Sequence, residues 1–152
     1  MALEQDQAEF AAALQEFEAI EANLPKQAPS LYERLATAMT LAFSANTKIS
    51  LNDAEKGIIA AKNSLRALAD ITTDEGTLQR YVNAMRALTA ELTAVINQKL
   101  ASTSHVYAPL TAAFRASKDT LTQAYERAKK MANAINLATE VLNAFAKLVA
   151  VI

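Results

Sequence analysis

Residues 107–152 read YAPLTAAFRASKDTLTQAYERAKKMANAINLATEVLNAFAKLVAVI. Counting three and four alternately from Tyr107 reaches Leu110, Phe114, Ser117, Leu121, Ala124, Ala128, Met131, Ile135, Ala138, Leu142, Phe145, Val149 and Ile152. Ser117 is the only polar residue on that ladder. A 3.5-residue repeat keeps one stripe turned toward a neighbouring helix. The spacing therefore predicts one long helix over 106–151, with Pro109 just inside its start. At 1.5 Å per residue such a rod is roughly 65–70 Å long. A single short helix does not cover it. Its neighbour is then either a long rod formed by 30–70 or a second copy of the chain; a kink near Ser117–Thr120 is the third solution, though nothing there compels one. Ala134, Leu137, Val141, Ala144, Leu148 and Val151 add a second series with the same spacing. Two apolar stripes imply burial from two sides.

Composition agrees with an all-helical chain. Of 152 residues, 34 are Ala, while Gly occurs twice and Pro three times. Ala loses no side-chain entropy in a helix, and Gly and Pro are the main breakers. The length suits a single domain, able to bury roughly 70% of its unfolded surface. Without cysteine, neither disulfides nor thiolate metal ligation contribute. The expected fold is an elongated up-down helical bundle of four to five helices. Coiled-coil-like crossing angles of about +20° are expected within it.

Upstream of the ladder the chain divides at its caps and prolines. A first, acidic helix lies within 1–24, with Phe10, Ala13, Phe17, Ile20 and Leu24 as its apolar stripe; Pro25 and Pro29 end it. Ser30 and Glu33 have capping-box spacing and open the segment 30–70. A second start signal at Ser50-Leu51-Asn52-Asp53-Ala54-Glu55 leaves open whether 30–70 is one helix or two. Gly57 within it costs roughly 1 kcal/mol relative to Ala. Thr72 and Glu75 form another capping box, and a helix follows over 74–101.

The net charge of −1 suggests no polyanionic partner, but the charge is uneven. Residues 1–24 carry six carboxylates and no base, leaving the remainder at +5. The first helix therefore reads as a solvated acidic face, or as a strap over the basic remainder. Exposed ion pairs contribute only ~0–1 kcal/mol each, so Phe10, Phe17 and Ile20 would be what holds such a strap. No basic n-region precedes an apolar h-region, which points away from a signal peptide and toward the cytoplasm. No run of about 20 residues is uniformly apolar.

No residue pattern stands out as catalytic, cofactor-binding or metal-binding. His105 is the only histidine, which removes most zinc sites and the di-iron pattern of two Glu-x-x-His motifs. Beside Pro109 and three hydroxyl residues it reads as a loop residue. Two glycines cannot form a phosphate-cradling loop or a nucleophile elbow. Arg127-Ala128-Lys129-Lys130 is the one basic cluster, too short for a nucleic-acid footprint. Tyr32, Tyr81, Tyr107 and Tyr125 read as core-edge residues with a wet hydroxyl. Met39, Met85 and Met131 read as core filler.

The expected function is thus a non-enzymatic interaction or structural module, acting as a homodimer or on a helical protein partner. Its expected interface is Leu137, Val141, Leu142, Phe145, Leu148, Val149 and Ile152. The alternative is a membrane-active or lipid- or apolar-ligand-binding bundle. The lack of a basic face along 131–152 counts against it.

Overall fold

The computed structural model of the chain describes residues 2–24, 48–101 and 106–152. These form six helices and one short antiparallel pairing: α1 (Ala2–Glu21), β1 (Ile49–Ser50), α2 (Leu51–Asp70), α3 (Glu75–Ala101), β2 (Val106–Tyr107), α4 (Ala112–Ala116), α5 (Lys118–Lys130) and α6 (Thr139–Ala150). Among the described residues the regular structure is helical but for the two-residue strands. Leu31, Leu35, Tyr32, Met39, His105 and the Ser30–Glu33 cap lie outside the described residues.

The start of α2 excludes one continuous helix over 30–70, of which residues 30–47 lie outside the described residues. Ser50 is extended, at φ −71° and ψ 156°, and its hydroxyl accepts the Asp53 amide. That is an N-cap, so no continuous rod runs through residue 50. Ile49 and Ser50 pair instead with Tyr107 and Val106. The α2–α3 turn also differs from the expected box. Asp74, not Thr72, caps α3: its Oδ2 accepts the Thr77 amide at 2.9 Å and the Thr77 hydroxyl. The Thr72 hydroxyl turns back to the Leu68 carbonyl at 2.6 Å.

The single rod over 106–151 is not formed. The stretch is broken into α4, α5 and α6. Pro109 lies in the extended lead-in, and Thr111 caps α4 by accepting the Phe114 amide. Ser117, the polar rung of the ladder, marks the α4–α5 junction. The larger break is at 131–138. Asn136 adopts φ 55°, and the Leu137 amide donates to the Ala132 carbonyl. This six-to-one bond past a left-handed residue is a Schellman stop, and Asn tolerates that conformation better than most side chains. Ala138 is then extended at φ −70° and ψ 147°, and α6 begins afresh. The ladder failed because residue spacing records which positions are apolar, and it is preserved across a turn that happens to keep count. Folding back brings the second stripe onto α2 within the same chain, so neither a long partner rod nor a second copy is needed to bury it.

One core joins all the helices. α1 packs mainly on α3 through Phe10, Ala13 and Phe17; α3 packs on α2; α6 packs on α2; and α5 touches α2, α3 and α6. The α2–α6 contact is close because of Gly57. A Cβ there would sit 2.8 Å from Leu148 Cβ and 2.9 Å from the Ala144 carbonyl oxygen. The residue that looked like a helix defect is where α6 approaches the α2 backbone.

Candidate functional site

Among the described residues, three of the places where side chains from distant parts of the chain meet bear on function. The first is the apolar arc of α6. Phe145 and Leu148 are fully buried, and Phe145 meets Tyr125 edge to face at a centroid distance of 5.5 Å. Leu137, Val141, Leu142, Val149 and Ile152 are half-buried and pack on the edge of the core. The seven residues expected at an interface lie close together, and two of them, Phe145 and Leu148, are buried in the chain's own core. The exposed polar face of α6 carries Glu140, Asn143 and Lys147.

The second place is a carboxylate clamp. Glu91 of α3 has no exposed surface. Its Oε2 accepts the Tyr107 hydroxyl at 2.6 Å and the Leu110 amide at 2.8 Å. Its Oε1 accepts the Thr111 amide at 2.9 Å and the Thr111 hydroxyl at 2.8 Å. Four donors on two oxygens satisfy a buried carboxylate well. Burial, the bond to Glu91 and its negative charge hold the Tyr107 hydroxyl far above its ordinary pKa. The geometry fastens the segment entering α4 onto α3. Its role is structural. Sequence reading passed over Glu91 as one of many helix-face carboxylates. The usable signal was its place beside Leu88 and Leu92 on the apolar stripe of α3.

The third place is a cleft of about 360 Å³ between the α2–α3 turn and α5. The turn supplies Thr72, Thr73 and Asp74; α3 supplies Thr77, Arg80 and Tyr81; α5 supplies Thr120, Gln123 and Arg127. Arg127 Nη1 donates to Thr72 Oγ1 at 2.9 Å and to the Tyr81 hydroxyl at 3.1 Å. Both acceptors are buried, at 4% exposure each. Arg80 Nη2 donates to Thr77 Oγ1 at 3.1 Å. The Asp74 carboxyl is held below its ordinary pKa of 3.8, first by the Thr77 hydroxyl, then by the Thr77 amide and by Arg80. Among the described residues the ion pairs are Lys62–Glu21 and Lys99–Glu55, so Arg127 has no carboxylate partner there.

The basic cluster is thus divided by helix geometry. Successive residues are about 100° apart, which sends Arg127 inward while Lys129 and Lys130 stay exposed. The readable trace was the polar stripe Thr120, Gln123, Arg127, running beside the apolar ladder at helical spacing. Among the described residues no group of three or more His, Asp or Glu could hold a metal, and no helix is long and apolar enough to cross a membrane. No family model matches the chain, and no curated protein or solved structure is detectably similar to it.

Proposed function

We propose that the chain is a non-enzymatic helical interaction module that pairs, through the outer flank of α6, with a second copy of itself. The observation that carries this reading is the residue of apolar surface left on α6 once Phe145 and Leu148 enter the core. Leu142 and Val149 stand seven residues apart on one flank, both half-buried. That separation is one heptad, the repeat by which a second helix lays side chains into a seam. Val141 and Ile152 border it and are half-buried too. The contact at Gly57 gives α6 a close-packed backing, so the flank is presented on a fixed element. In a bundle of this kind the pairing surface and the core share one helix, and the acidic α1 packs elsewhere, on α3 and α2.

Multi-angle light scattering across the micromolar range tests the reading. The intact chain is expected to shift toward dimer as concentration rises. The double substitution Leu142→Glu, Val149→Glu is expected to hold it monomeric with an unchanged circular-dichroism spectrum. A chain that is monomeric throughout, or a double variant that dimerises as the parent does, refutes the proposal.

A further inference from the structure

We propose that the cleft between the α2–α3 turn and α5 binds a small polar monocarboxylate, with the outer edge of the Arg127 guanidinium as its anchor. Arg127 carries five N–H donors in a planar fork suited to a carboxylate. Among the described residues only Nη1 is engaged, by Thr72 and Tyr81. Those two bonds fix the plane of the fork, and Arg127 is one of the residues that line the cavity. The anchor is held by buried groups. Thr72 and Tyr81 are each 4% exposed. The Thr72 hydroxyl donates its one proton to the Leu68 carbonyl as it accepts from Arg127, so it has no proton left for a ligand. The Tyr81 hydroxyl accepts from Arg127 and, among the described residues, donates to nothing. A buried hydroxyl proton without an acceptor is uncommon, and a bound carboxylate oxygen is an acceptor of the right kind.

Charge selects the ligand class. The lining holds two guanidiniums and one carboxylate. Asp74 is already occupied by the Thr77 amide and hydroxyl and lies in the field of Arg80. Those two largely offset each other, and the uncompensated charge is the single one on Arg127. One positive charge beside a fixed carboxylate suits a monoanion and disfavours a dianion such as hydrogen phosphate. The rest of the wall is uncharged and polar: Thr73, Thr120 and the Gln123 amide supply donors and acceptors for hydroxyls on the ligand. The cavity, about 360 Å³, is at the small end of the ~300–1,000 Å³ typical of ligand sites. A hydroxylated acid of a few carbons fits that description.

Amide chemical shifts of the full chain, titrated at constant ionic strength with sodium glycerate, inorganic phosphate or chloride, test the site. Glycerate is expected to give saturable shifts at Thr72, Thr73, Thr77 and Thr120, and chloride none. Arg127→Gln is expected to weaken glycerate about tenfold or more, the size of a lost charged hydrogen bond. If that variant unfolds, Arg127→Lys keeps the charge and loses the fork, and is expected to weaken binding several-fold. Arg80→Gln, at an exposed position, is expected to change glycerate affinity less than either. Glycerate shifts that never saturate, equal binding by an Arg127 variant that remains folded, or tighter binding of phosphate than of glycerate would each overturn the assignment.

Discussion

Gly57→Ala sets two known effects against each other at one atom. In an exposed helix the change is favourable by roughly 1 kcal/mol, because Ala loses less backbone entropy. At Gly57 the added Cβ lies 2.8 Å from Leu148 Cβ and 2.9 Å from the Ala144 carbonyl oxygen. Neither atom is the free end of a side chain, so α6 as a whole must retreat from α2. Overpacking of that sort costs ~1–3 kcal/mol. The net expectation is a loss of ~1 kcal/mol, and for a chain of this length each such unit lowers Tm by ~2–4 °C. Gly76→Ala is the internal control. It also lies in a helix, but its added Cβ meets nothing nearer than Asp74 Oδ2 at 3.6 Å. There the propensity gain is unopposed, and stability rises by up to ~1 kcal/mol. Urea unfolding followed by circular dichroism measures both. The same chemical change is expected with opposite signs at the two positions. A Gly57→Ala chain stabilised as much as Gly76→Ala would show that α6 does not lie against α2 as described.

Substitutions at four further positions test other contacts of the fold. Glu91→Gln replaces one acceptor oxygen by an amide among four donors, leaving part of the clamp unpaired in the core; urea unfolding should show a loss of ~2–4 kcal/mol. In the parent chain, protonated Tyr107 contributes stability fully below its unfolded pKa of 10.0, and loses it as pH climbs above that value. Tyrosinate absorbance for that residue should therefore develop only with alkaline unfolding, and a Tyr107 titrating near 10 in the folded chain contradicts the clamp. Asn136→Ala puts an alanine at φ 55°, with an expected cost of ~1 kcal/mol, whereas Asn136→Gly is expected to cost nothing measurable. If Asn136→Ala instead raised both helicity and Tm, 131–138 would prefer to be helix. Lys62 is 5% exposed, lies 2.9 Å from Glu21 and sits 5.7 Å from the centre of the Phe17 ring. Glu21→Ala leaves that ammonium unpaired and should cost ~1–2 kcal/mol after allowance for the accessible side of the pair, while Lys62→Met should be nearly neutral by thermal melting.

Where a stop or start was written in backbone chemistry, sequence reading located it well. The helix expected over 74–101 is α3, Glu75–Ala101, because turn residues bound its start and Ser and Thr follow its end. The acidic helix within 1–24 is α1, and its stripe Phe10, Ala13, Phe17 faces α3. Ser50 was flagged as a start and is one. The final third was misjudged because its apolar spacing is regular while its larger interruption depends on one asparagine, Asn136, whose left-handed conformation has no periodic signature. Gly57 was read by intrinsic propensity, which cannot see the helix lying across it. Glu91 and Arg127 were hidden for a different reason. Each is a charged residue on a helix and looks solvated until tertiary structure turns it inward, toward Tyr107 and Thr111 in one case and toward Thr72 and Tyr81 in the other.

The pairing of Ile49–Ser50 with Val106–Tyr107 involves few residues, yet it sits where leverage is greatest. α2 and α3 run antiparallel, joined at one end by a short turn and drawn together near the other by Lys99 and Glu55 at 3.3 Å. The strand pair buckles that open end, and Glu91 locks the buckle from beneath through Tyr107. Fraying, which ordinarily begins at helix ends, is thereby denied its usual starting point on α2. Slow amide exchange should reach right to Leu51 and Ala54 rather than tapering toward them, and severing the buckle should turn the hairpin into two independently loosening arms.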